Sequence, residues 1–76
     1  MKNIGSVSRR WLAEIDIVTQ DNLKRVGAVA AWEHIRARHP QKVTKKLLWA
    51  LIGAQMDIDG RYIPDEVKQR AIANIR

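Results

Sequence analysis

Two pairs of adjacent cations stand where helices should begin: Arg9-Arg10, behind the stretch Asn3-Ile4-Gly5-Ser6-Val7-Ser8, and Lys45-Lys46, directly after Thr44. Backbone N–H groups at a helix N-terminus carry partial positive charge and attract anions. An added cation there is disfavoured by roughly 0.3–1 kcal/mol on an exposed surface. Asparagine and glycine are the residues that most readily accept positive φ, so an Asn3-Ile4-Gly5 bend would leave the N–H groups of residues 6 to 8 pointing outward. Gly5, Ser6 and Ser8 with Arg9 and Arg10, supported by Lys45 and Lys46, then make a candidate cradle for nucleic-acid phosphates. Solvated charges tolerated at a small penalty account for the same residues without a ligand.

The remaining reactive side chains point to no chemistry. Ser6 and Ser8 have no histidine or lysine base in an activating arrangement, and His34 and His39 lack the carboxylate spacing of a zinc site. Both histidines read as exposed helix residues. Asp57-Ile58-Asp59-Gly60 looks like the start of a calcium loop, but Lys68 occupies the twelfth position, where a bidentate glutamate is required. The expectation is a protein with no catalytic residues, no metal and no cofactor, hence not an enzyme.

Seventy-six residues make one domain, residues 1–76, with 46% hydrophobic residues and three tryptophans available for a core. The absence of cysteine excludes a disulfide framework and thiolate metal sites. The longest apolar run, Leu47 to Ala54, falls far short of the roughly 20 residues a bilayer requires, and no signal-peptide pattern opens the chain, so a soluble cytoplasmic protein is expected. The net charge of +6 is unevenly spread. Residues 1–46 hold ten Lys/Arg against four acids, and residues 47–76 hold four against four. A basic surface of this kind suits nucleic acid or an acidic protein partner.

Five short helices position these residues, and no stretch shows the alternation of a strand. The first spans about Val7 to Asp16, capped by Ser6, with Val7, Trp11 and Ile15 inward and Leu12 beside them. Thr19 caps a second helix, Gln20 to Val26, with Leu23 and Val26 inward and Gly27 as its stop. The third, Ala28 to Arg38, buries Ala28, Trp32 and Ile35 and ends at His39-Pro40. Thr44 caps the fourth, Lys45 to Met56, whose near-continuous apolar surface places it at the centre. A turn at Asp57 to Gly60 leads to a last helix, with Pro64 in its first turn and Val67, Ala71 and Ile75 inward. Trp11 and Trp32 read as core. Trp49, opposite Leu47 and Leu51 on its helix, is the least settled.

The run NIGSVSRRWLAEIDIVTQDNLKRVGAVAAWEHI, followed by VTKKLLWALIGAQMD and a proline-started last helix, resembles the C-terminal domain of the TfoX/Sxy family of bacterial competence regulators. The similarity covers nearly the whole chain. Its most specific pieces are Asn3-Ile4-Gly5 before Trp11-Leu12, the Leu23 to Ala28 junction, and the helix holding Leu47-Leu48-Trp49-Ala50-Leu51 and Gly53-Ala54. The resemblance implies a compact all-α fold, a bundle of about five short helices related to helix-hairpin-helix and SAM-like domains, in proteins linked to regulation of DNA uptake. It brings no catalytic motif, and the separate N-terminal domain of the family's longer members has no counterpart in this sequence. Asn3 also stands where the helix-hairpin-helix pattern Gly-apolar-Gly has its first glycine.

Two functions follow as expectations. The first is a DNA-associated regulatory module that contacts phosphates without reading bases. The alternative is a protein-interaction or self-association module, a homodimer among the options, that buries Trp49, Ile52 and Met56.

Overall fold

Helix formation in this chain follows its punctuation. The computed structural model describes residues 2–75 and contains five α-helices: α1 Ser6–Glu14, α2 Gln20–Val26, α3 Ala28–Arg38, α4 Lys45–Met56 and α5 Asp65–Ala73. A single 3₁₀ turn, Gly60–Tyr62, which the sequence reading does not anticipate, precedes α5. No strand occurs among the described residues. The fold is the all-α bundle expected.

The helix ends are set by specific bonds. At α2, the Thr19 hydroxyl accepts from Asn22 N at 3.1 Å while the Asn22 side chain accepts from Thr19 N at 3.2 Å, a reciprocal capping box. Gly27, at φ 92°, ends α2 and begins α3, a conformation that a side-chain-bearing residue rarely adopts. α1 and α4 both stop in Schellman motifs. In α1, Ile17 N donates to Leu12 O at 2.9 Å and Asp16 N to Ala13 O at 3.1 Å, with Asp16 at φ 63°. In α4, Ile58 N donates to Gly53 O at 2.8 Å and Asp57 N to Ala54 O at 3.3 Å, with Asp57 at φ 57°.

α3 and α4 form the main packed pair, and α2 lies against both. Leu12, Ile17, Leu23, Ile35, Leu48 and Leu51 are the largest fully buried side chains. α4 contributes six buried residues, Leu47, Leu48 and the run from Leu51 to Ala54, which makes it the central helix as its sequence predicts. Trp32 is buried and its indole N–H donates to Thr44 O at 2.9 Å, tying α3 to the start of α4. Two glutamines stitch the helices further: Gln55 accepts from Ala28 N at 2.8 Å, and Gln20 Nε2 donates to Ala54 O at 3.0 Å.

Several expected positions are corrected. α1 begins at Ser6, so Gly5 is the N-cap and Ser6 is inside the helix. Val7 is 54% exposed. At about 100° per residue it lies about 140° around the helix from Leu12, the residue that reaches the centre. Val26 is likewise 41% exposed, and Trp11 is half-buried at the rim of the core. Pro64 is the N-cap of α5. Ile4 and Ile63, in connections that no periodicity reveals, are buried.

Candidate nucleic-acid interface

The first paired cations belong to an uncapped helix. Asn3, at φ 69°, makes the bend; Gly5 is extended at φ −81° and uses none of glycine's extra freedom. The Asn3 side chain anchors that bend to the turn that follows α4. Its Nδ2 donates to Ile58 O at 2.8 Å and its Oδ1 accepts from Gly60 N at 3.2 Å. Ile4 is buried beside it, which fixes the entry of the chain into α1. No side chain caps α1 and no acid lies in its first turn. Gly5 and Ser6 are exposed and Ser8 is half-buried. The Arg9 and Arg10 side chains are exposed and have no hydrogen bond or ion pair among the described residues.

α4 repeats the arrangement. Thr44 is its N-cap in extended geometry, but the Thr44 side chain makes no capping bond, contrary to expectation; its carbonyl accepts instead from Trp32 and from Leu47 N. Lys45 and Lys46 are exposed and unpaired among the described residues, and no acid stands in the first turn. The remaining helix starts differ. α2 has its capping box and Asp21, α5 has Asp65 and Glu66, and α3 receives the Gln55 side chain on Ala28 N. α1, α3 and α4 each lack a side-chain N-cap bond and a first-turn acid; α3 alone of these has a distant side chain, Gln55, on its first N–H, and the other two carry paired cations, Arg9-Arg10 at the fourth and fifth positions of α1 and Lys45-Lys46 at the first two of α4.

The structure joins only some of these residues. Lys46 shares a cleft of about 440 Å³ with Asn3, Trp49, Gly60, Arg61 and Lys68. α1 packs on α3, and no bond or shared cavity links Arg9 or Arg10 to Lys45 or Lys46 among the described residues. The alternative set divides as well. Ile52 is buried at 6% exposure, so it belongs to the core, while Met56 is 44% exposed beside Val26 along a second groove of about 620 Å³. Trp49 is half-buried and faces the other cleft.

Sequence reading misses two electrostatic clusters. Asp59 accepts from Arg61 N at 2.9 Å, from Arg61 Nε at 3.1 Å and from Arg61 Nη2 at 2.9 Å. These bonds, with the side-chain contact foremost, hold the Asp59 carboxyl at about 2 and raise the Arg61 guanidinium. His39 is half-buried at the end of α3, not simply exposed as its sequence position suggests. Its ring stacks on Trp11 at 4.9 Å and approaches the Glu14 carboxylate at 3.3 Å, as does Arg38. Glu14 is held below the usual carboxylate range, first by His39 and then by Arg38. Asp59 and Arg61 lie two residues apart at the start of the 3₁₀ turn, a local spacing that could have signalled the pair; the Glu14 to His39 meeting has no local signal. No group of acids and histidines among the described residues could hold a metal ion.

Geometry of this kind can bind anions by backbone N–H groups and unpaired cations, and it defines a small basic all-α module. The family model described as TfoX C-terminal domain matches residues 1–74, and the chain belongs to that family. No curated protein and no solved structure matches it. Among the described residues no helix is long and apolar enough to cross a membrane.

Proposed function

We propose that this domain is a non-enzymatic module of bacterial competence-type regulation that contacts the phosphate backbone of DNA in the cytoplasm without reading bases. The observation that carries this reading is the coincidence at α1 and α4 of an uncapped N-terminus, no acid in the first turn and two unpaired cations. A bound phosphate would satisfy the free N–H groups and offset the repulsion between the helix dipole and the cations. Gly5, Ser6 and Ser8 supply the backbone and hydroxyl donors, Arg9 and Arg10 the charge, and Lys45 and Lys46 a second point of contact. Such binding is dominated by counterion release. If about six phosphates are neutralised, affinity for a labelled duplex should fall on the order of a thousandfold between roughly 50 and 200 mM salt. Salt-independent binding, or none at low salt, contradicts the reading.

A second reading rests on a different observation. The groove of about 620 Å³ between the α2–α3 junction, α4 and α5 exposes Met56 and Val26 beside Val29 and Ala71. An apolar opening of this kind suits a helical segment of an acidic protein partner or a second copy of the chain. Sedimentation showing a dimer whose formation is blocked by Met56→Glu would favour it.

A further inference from the structure

The three tryptophans have different surroundings. Trp32 is buried, with its indole N–H on Thr44 O and the Arg36 guanidinium 4.6 Å from its ring. Trp11 is covered by the stacked His39 ring. Trp49 instead lines the cleft of about 440 Å³. Its indole N–H has no hydrogen-bond partner among the described residues, yet no unsatisfied side-chain donor is buried, so this N–H reaches solvent. The Lys68 ammonium lies over the Trp49 ring, 5.4 Å from its centroid, and the unpaired Lys46 also lines the cleft. The one carboxylate of the cleft, Asp59, is bound on both oxygens by Arg61, and Lys2 lies close enough to depress its titration further.

From this juxtaposition we infer that the cleft is a nucleotide-stacking site for single-stranded nucleic acid, in which one base packs on Trp49 and the adjoining phosphates meet Lys46 and Lys68. A cavity of this volume accommodates a nucleotide. An aromatic platform beside cations is the arrangement by which single strands are held with little sequence preference, because every base offers a π face and every linkage a charge. The neutralised Asp59 leaves the cleft positive, which favours a phosphate-bearing ligand over a neutral aromatic one. The inference rests on the reading that the basic surface meets nucleic acid, but it assigns a site distinct from the α1 N-terminus and a different form of the strand.

The test is a titration of the folded domain with single-stranded oligothymidylate of about eight nucleotides at about 50 mM salt, followed by the three indole N–H signals in NMR. The Trp49 signal should move while those of Trp11 and Trp32 stay, and Trp49→Leu should weaken binding about tenfold. Lys68→Glu, which removes the ammonium from over the ring and leaves Trp49 in place, should weaken it severalfold, and with the helical signal followed alongside it guards against loss of fold in the Trp49 variant. An unmoved Trp49 signal, or displacement of the oligonucleotide by an equal concentration of oligoglutamate, overturns the inference. Duplex binding lost in an Arg9→Glu/Arg10→Glu protein together with a silent Trp49 overturns the cleft alone. A responsive Trp49 without duplex binding sustains the cleft and overturns the phosphate cradle at α1.

Discussion

Gly53 is the residue on which the α1 entry depends. A Cβ there would sit 2.7 Å from Ile58 O and 2.5 Å from Asn3 Nδ2, the two atoms that bond to one another and hold the N-terminal bend on α4. Alanine would improve helix propensity by about 1 kcal/mol, but the clash is partly with backbone that cannot retreat. Gly53→Ala should therefore destabilise the domain by a net ~1–3 kcal/mol in urea unfolding and release Asn3 from Ile58. Asp59 gives a second prediction. Its folded value of about 2 lies below the ordinary 3.8, so the stabilisation from the Asp59–Arg61 contact is fully present above 3.8 and is lost as pH falls through about 2. NMR titration of the Asp59 carboxyl should show a midpoint near 2, returning toward 3.8 in Arg61→Ala. Residue types revealed some of this and not the rest. Asn3 and Gly5 announce a bend, but only the fold shows that Asn3 makes it and that Gly53 serves close approach.

At the level of elements, the proposed phosphate site makes the uncapped start of α1 a trade between stability and anion binding. An aspartate at Gly5 would cap the free N–H groups and satisfy the dipole, gaining up to about 1 kcal/mol. Gly5→Asp meets no obstacle, since nothing lies within 4 Å of a Cβ at that position and its φ of −81° suits any residue. The variant should melt at a higher temperature and bind duplex DNA more weakly. Weaker melting, or unchanged DNA binding, would show that α1 does not receive phosphate. The helices themselves are legible in the sequence because their ends are chemical: Thr19 and Asn22 for α2, Gly27 at the α2–α3 junction, His39-Pro40 after α3 and Pro64 with two acids before α5. The 3₁₀ turn Gly60–Tyr62 is not legible, because it rests on the Asp59 side chain accepting from Arg61 N and on contact with α4. Hydrophobic spacing misplaced Val7 and Val26 because helices of nine and seven residues are too short for one inward line to be unique.

On the scale of the whole molecule, charge and shape divide the surface. Unpaired cations mark the starts of α1 and α4, a positive cleft opens beside Trp49, and an apolar groove runs past Met56. The sequence discloses the excess of positive charge and its location in the first 46 residues, since that needs only counting. It does not disclose which cations are neutralised. Arg38 and Arg70 meet Glu14 and Glu66, and Arg61 meets Asp59, whereas Arg9, Arg10, Lys45 and Lys46 meet no acid among the described residues. The proposed function stands on phosphate binding by Arg9 and Arg10, in the first two turns of α1. Its most direct test is duplex affinity, by fluorescence anisotropy at about 50 mM salt, of Arg9→Glu/Arg10→Glu beside the parent, with helicity followed by circular dichroism. A fully helical variant that no longer binds is expected. A folded variant that retains the parent's affinity would contradict it.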